Sequence, residues 1–202
     1  MKLYLNTASP YARLARVAVL EAGLAPQTTF VTVDPWASPP ELLAINPAAK
    51  IPALELADGS VLIESDCIAA HVSALAKGCG LRPVDPTDVR RLAQLGHARA
   101  LMDCAFGATV ERRFVPESPL AARWAGALPK LLAALEKLAP EPSQDQTPDD
   151  VPNYAEAVLM VALDYLTFRH GALDWAGQSP RLSAWAAVIG AREAFRMTKP
   201  RD

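Results

Sequence analysis

Cysteine and histidine are scarce, three of each in 202 residues. Cys67, Cys79 and Cys104 form no close pair, and any disulfide scheme leaves one of them over, which suits a reducing compartment. His71, His97 and His170 lie far apart with no cysteine or carboxylate at ligand spacing, so no metal site is expected. An excess of charge is also missing. Twenty Lys and Arg against 22 Asp and Glu give a net charge of -2, spread along the chain without a basic stripe, which argues against nucleic acid or an anionic membrane as partner. No run approaches the roughly 18 apolar residues of a membrane span. Lys2 to Leu5 leads directly into polar Asn6-Thr7, with no apolar signal segment, and the expected location is cytoplasmic. There is no phosphate-binding loop, no Gly-x-Gly-x-x-Gly and no Gly-x-Ser-x-Gly elbow, so neither nucleotide chemistry nor a Ser-His-Asp hydrolase is indicated.

What is present is enough apolar residue, 51% against 21% charged, to bury the core of one large or two small domains. The first third alternates strand and helix. Leu3 to Leu5 reads as a short strand; Tyr11, Leu14, Ala18 and Val19 recur at helical spacing through Ala22, and Gly23 is the stop. Thr28 to Val33, rich in β-branched residues, is a second strand, parallel to the first because a helix crosses between them. A short helix near Glu41 to Ile45 follows. Ala53 to Leu56 and Val61 to Ile63 then flank Asp58-Gly59, a hairpin signal, and Ser65 is expected to cap a helix through about Leu75. The order βαβ, helix, ββα is thioredoxin-like.

Gly78, Gly80, Pro83 and Pro86 then cluster and the strand signal ends, so the domains are read as 1–76, a linker at 77–86, and an all-helical 87–202. Four apolar stripes begin near Val89, Trp124, Ala155 and Leu182, and these are core faces. Ser-Pro pairs at Ser9, Ser38, Ser118 and Ser179 each precede a helical pattern, where the hydroxyl can cap and proline fits the first turn. Asn153 and Glu156 have capping-box spacing. Pro129 is expected to kink or divide its helix, and Glu141 to Pro152 reads as a loop.

Three stretches carry the chemistry: Ser9-Pro10-Tyr11 after the first strand, Asn46-Pro47-Ala48-Ala49-Lys50-Ile51-Pro52, and Glu64-Ser65-Asp66 opening a helix. Each alone is ordinary turn or cap chemistry. Their order and spacing resemble the thioredoxin-like N-terminal domain of soluble glutathione S-transferases of bacterial type, and the likeness extends over nearly the whole chain. In the helical half, Ala100-Leu101-Met102-Asp103, Leu163 to Arg169 and Ser179 to Trp185 resemble the family's packing segments. Glu156 stands where the usual capping box has Asp, and the proline usual after Arg192 is absent.

The resemblance implies glutathione as co-substrate and no metal. Ser9, between a strand end and a helix N-terminus, would stabilise the thiolate through its hydroxyl and the helix dipole; Thr7, Tyr11 or a backbone amide are the alternatives, and Ser9 as a plain N-cap is the structural one. Serine in place of cysteine here points away from the family's thiol-transferase branches. Ile51-Pro52 would be a cis pair presenting the Ile51 amide and carbonyl to the cysteinyl part as a short added strand. Lys50 would meet the glycine carboxylate or remain a solvated turn lysine. Ser65 would take the γ-glutamyl carboxylate and Glu64 its ammonium. The electrophile would lie between the domains against Tyr11 and the first long helix, where Arg99, Met102, Asp103 and Phe106 recur at roughly helical spacing. The reaction implied is conjugation of glutathione to a small apolar electrophile. A glutathione-binding or ligand-carrying protein without turnover, or a glutathione-dependent isomerase or ether-cleaving enzyme, are the alternatives. Family members pair as twofold dimers, so a homodimer is expected.

Overall fold

The computed structural model describes residues 1–76, 79–139 and 151–202. It divides into two compact units, Met1–Pro83 together with Met197–Asp202, and Val84–Arg196. The last six residues thus belong to the first unit, although the sequence pattern assigns them to the helical half. The expected loop at Glu141 to Pro152 falls largely, and the expected linker partly, outside the described residues.

The first unit is built on a four-stranded sheet of β1 (Lys2–Leu5), β2 (Thr29–Thr32), β3 (Ala53–Glu55) and β4 (Val61–Ile63), in the order β2-β1-β3-β4. The β1–β2 pair is parallel, joined through helix α1 (Pro10–Glu21); β3 is antiparallel to both β1 and β4. Alternation along the strands sets the two faces. Leu3 pairs with Leu54, and both are fully buried, as are Leu14, Val17 and Ala18 of α1 and Ile68 and Val72 of α3 (Ser65–Leu75). Tyr4 pairs with Ala53 and packs on the opposite face with Val33 and with Leu42 of the one-turn helix α2 (Pro40–Leu43). Short 3-10 turns at Ala25–Gln27 and Pro35–Ala37 complete the unit.

The second unit is helical: α4 (Val89–Phe114), α5 (Pro119–Leu138), α6 (Tyr154–Arg169), α7 (Trp175–Gln178), α8 (Pro180–Gly190) and α9 (Glu193–Met197), which runs to the edge of the unit. Ala155 to Leu163 of α6 are buried without interruption, as expected of a helix enclosed on all sides. Its capping box is complete: the Glu156 amide donates to Asn153 Oδ1 at 3.0 Å and the Asn153 amide to Glu156 Oε2 at 2.9 Å. Glutamate suffices there, and its other oxygen lies 3.4 Å from Arg91 of α4. Pro129 lies inside α5, which continues through it undivided.

Of the four Ser-Pro pairs, two cap as expected. Ser9 Oγ accepts from the Ala12 amide at 3.2 Å and Ser118 Oγ from the Ala121 amide at 3.3 Å. Ser38 instead closes a 3-10 turn with φ 46°, leaving Pro39 as the N-cap of α2. Ser179 precedes α8 without a side-chain bond, because Glu136 of α5 supplies the cap: its carboxylate accepts from the Arg181 and Leu182 amides at 2.9 and 3.0 Å. A cap lent by another helix has no local signature.

Gly107 of α4 lies against the Trp124 ring of α5, and a Cβ there would stand 2.8 Å from ring atoms of Trp124. Gly107→Ala should therefore lower stability. Overpacking costs about 1–3 kcal/mol, against ~1 kcal/mol gained in helix propensity. The urea midpoint should fall with an unchanged slope; a higher midpoint would mean that the Trp124 ring swings aside at no cost.

Candidate functional site

Sheet register gathers the three sequence stretches at one end of the first unit. The last ladder pairs there are Tyr4 with Ala53 and Ala53 with Ile63. One step beyond lie the end of β1 leading to Ser9, Pro52 entering β3, and Glu64 leaving β4. Adjacent strands are about 4.8 Å apart, so the row from β1 across β3 to β4 spans ~10 Å. An extended tripeptide has that reach at ~3.4 Å per residue.

The Ser9 turn is held from within by Asn6, whose Oδ1 accepts the amides of Ala8 at 3.2 Å and Ser9 at 2.8 Å. Ser9 is buried as the N-cap of α1. Its oxygen takes the Ala12 amide, and this leaves its own hydroxyl proton to donate to a neighbour. The positive end of a 12-residue helix lies behind it. Capping and thiolate stabilisation are thus compatible in one hydroxyl. Tyr11, half-buried, is in the first turn of the same helix.

In the second stretch the Ile51-Pro52 bond is cis. No backbone hydrogen bond from the Ile51 amide or carbonyl occurs among the described residues, so both groups can pair with an added strand. Asn46 shapes this loop, a role the sequence did not disclose. It is buried, its Nδ2 donates to the Lys50 carbonyl at 2.9 Å, and its Oδ1 accepts the Ala48 amide at 3.1 Å. Ala49 takes φ 51° inside the turn so formed. The Lys50 side chain is exposed.

At the third stretch Ser65 is not the cap. It is the first residue of α3, its Oγ donating to Asp66 Oδ1 at 3.4 Å, while Glu64 holds the N-cap position without a side-chain bond. Glu64 has φ 67° and ψ 131°, a conformation that costs a residue bearing Cβ about 1–3 kcal/mol. The side chain itself is exposed, and the Ser65 hydroxyl beside it is buried. A strained carboxylate next to a helix N-terminus is suited to hold an ammonium and a carboxylate carried on one carbon.

Of the four α4 candidates, Arg99 and Phe106 are half-buried and Asp103 exposed, whereas Met102 is fully buried and presents no surface to a ligand. Three positions after Arg99, Met102 faces the packed side of α4. Arg99 donates to the Tyr154 hydroxyl at 2.9 Å, and the Phe106 ring lies 6.3 Å from that of Tyr165. Tyr154 was hidden in the sequence by its position inside the α6 capping box. Burial, with Asp103 adding to it, pushes the neighbouring Cys104 thiol up. Cys67, Cys79 and Cys104 are all free thiols. Among the described residues no group of three or more His, Cys, Asp and Glu is placed to hold a metal ion, and no helix is long and apolar enough to cross a membrane.

A thioredoxin-like unit with these three loops at one sheet end, followed by a helical unit, is the architecture of a known group of proteins. Residues 8–75 match the family model of the glutathione S-transferase N-terminal domain. The maleylacetoacetate isomerase of Pseudomonas aeruginosa is 30% identical over 213 aligned positions, covering 99% of this chain and 96% of the relative. Glutathione S-transferase 2 of Saccharomyces cerevisiae is 33% identical over 78 residues, 37% of this chain, which spans only 34% of that relative's length. Among solved structures, a glutathione transferase family member from Pseudomonas fluorescens with bound glutathione superposes with a TM-score of 0.82 at 28% identity, covering 100% of this chain and 99% of that one. A glutathione S-transferase from Methylobacillus flagellatus with glutathione bound gives 0.82 at 26%, covering 99% of each. The chain belongs to the glutathione S-transferase family.

Proposed function

We propose that this chain is a glutathione transferase. It binds glutathione extended across the row from Glu64 to Ser9 and, through the Ser9 hydroxyl, holds the thiol as a thiolate for attack on a small apolar electrophile. The observation that carries this reading is the strained Glu64 at the N-terminus of α3, standing at the same sheet end as the unpaired Ile51 backbone and the Ser9 turn. The γ-glutamyl ammonium pairs with Glu64 and its carboxylate with Ser65 and the first amides of α3. The cysteinyl amide and carbonyl pair with Ile51 beside Pro52, and the glycine carboxylate is left near Lys50. Tyr11, in the first turn of α1, is the candidate beside the sulfur. The relatives solved with glutathione support the co-substrate. The protein is proposed to work in the cytoplasm as a homodimer.

A second reading, glutathione-dependent isomerisation, draws support from the relative named maleylacetoacetate isomerase. There the thiolate adds to a conjugated double bond, rotation follows, and the thiolate leaves again. The two differ in their accounting of thiol. Conjugation of an aryl halide should consume one glutathione per turnover, whereas isomerisation of a cis-enone acid should consume none while requiring its presence. Steady-state assays on both substrates, with free thiol measured alongside, separate them. Absence of turnover on either would favour a binding protein of the same fold.

A further inference from the structure

Residues 198–201 return to the first unit and touch the turn that carries Ser9. The Arg201 amide donates to the Thr7 carbonyl at 3.3 Å, two residues before Ser9. Arg13, one turn into α1 and only 4% exposed, donates from Nε to Thr198 Oγ1 at 3.2 Å, and Thr198 is 3% exposed. Arg13 is in turn tied to Ser9, since its amide donates to the Ser9 carbonyl at 3.0 Å. Arg201 also lies near enough to Arg16 of α1 that its charge, after burial, helps push the Arg16 guanidinium down; Arg16 stacks over the Phe30 ring at 5.5 Å.

Asn6 holds the amides of Ala8 and Ser9, so the Thr7–Ala8 peptide is tied at its N–H edge, and its opposite edge, the Thr7 carbonyl, is tied by the Arg201 amide. Without the Arg201 donor this peptide plane is held at its N–H edge alone and can tilt about that single bond, carrying the Ser9 turn with it. A hydrogen bond to an anion is directional, so a few tens of degrees of freedom weaken it. We propose that residues 198–201 are a strap that positions the Ser9 turn: Thr198 fixes the segment to α1 through Arg13, and the Arg201 amide fixes the Thr7 peptide. These are positioning residues that act on the thiolate through Ser9. The proposal rests on the reading of Ser9 given above.

The test is the acidity of the bound glutathione thiol, read from its ultraviolet thiolate absorbance as pH is varied at saturating glutathione, which needs no electrophile. Thr198→Val keeps the shape and removes the hydroxyl; Arg201→Pro removes the amide donor. Each should weaken the acidity of the bound thiol about three- to tenfold, roughly half to one pKa unit. Thr198→Ser should restore it, and Lys130→Ala, at an exposed position of α5 outside the strap, should leave it unchanged. Adding Thr198→Val to Ser9→Ala should produce no further change, because the strap acts through the missing hydroxyl. If Thr198→Val does not fold, Arg201→Pro carries the test. Wild-type titration in both strap variants, alongside a shifted Ser9→Ala, would overturn the strap and leave the role of Ser9 standing. An unshifted Ser9→Ala would overturn both.

Discussion

Ser9→Ala should lower turnover at neutral pH by about 10- to 100-fold and move the rise of turnover with pH upward by roughly one to two units. A hydrogen bond to a charged group is worth ~1.5–3 kcal/mol, and one pKa unit is ~1.4 kcal/mol. The free thiol titrates near ~8.5. Donation to the thiolate favours the charged form and so depresses the bound value; removing the donor raises it. The loss is therefore full below the wild-type midpoint, shrinks as pH climbs through the mutant midpoint, and nearly vanishes above it. Glutathione affinity should change little, since the donor acts on the ionised sulfur and not on the rest of the tripeptide. Because Ser9 also accepts the Ala12 amide, its loss should cost ~1 kcal/mol of stability as well. Ser9→Asp separates the two effects: it keeps an acceptor for the cap and lacks a donor, so it should recover stability without recovering activity. If Ser9→Ala instead kept the wild-type pH profile, the role would pass to Thr7, Tyr11 or a backbone amide.

Glu64→Ala should weaken glutathione binding about 30- to 100-fold, the ~2–3 kcal/mol expected when a charge-assisted bond to the γ-glutamyl ammonium is lost. Glu64→Gly gives the sharper comparison. It loses the same carboxylate but relieves the backbone at φ 67°, so it should bind glutathione as poorly as Glu64→Ala while unfolding at higher temperature than either Glu64→Ala or the wild type without ligand. The gain of ~1 kcal/mol is about 2–4 °C for a chain of this size. A Glu64→Gly variant that binds normally would make the strained residue a feature of the turn and remove it from the site.

The strands, the first helix and the Asp58-Gly59 hairpin were legible because two periods, alternation and helical recurrence, separate cleanly in the first third of the chain. The three loops were legible as a set, and the sheet register explains why: residues far apart in sequence are neighbours one step past the ladder. What escaped was whatever depends on a partner from another element. Glu136 caps α8 from α5, Thr198 bonds Arg13 of α1, and the Arg201 amide reaches the turn before that helix. Met102 illustrates the limit of spacing on a helix. Arg99, Met102, Asp103 and Phe106 share one side of α4, but the boundary between the packed and open halves of that side falls among them. The Glu64 backbone could not be anticipated at all, since a glutamate at positive φ contradicts local preference, and such contradictions gather at functional sites.

Titration calorimetry on the wild-type chain shows whether the sheet end from Ser9 to Glu64 binds glutathione. Saturable heat is expected with one glutathione per chain and a dissociation constant on the order of 0.1 mM, with ~2.7 kcal/mol of thermal stabilisation at 100 times that concentration. The dipeptide Cys-Gly, which lacks the γ-glutamyl head, should bind far more weakly. No saturable heat and no thermal shift with glutathione at ~10 mM, a hundredfold excess over that constant, would contradict the account even with the fold intact.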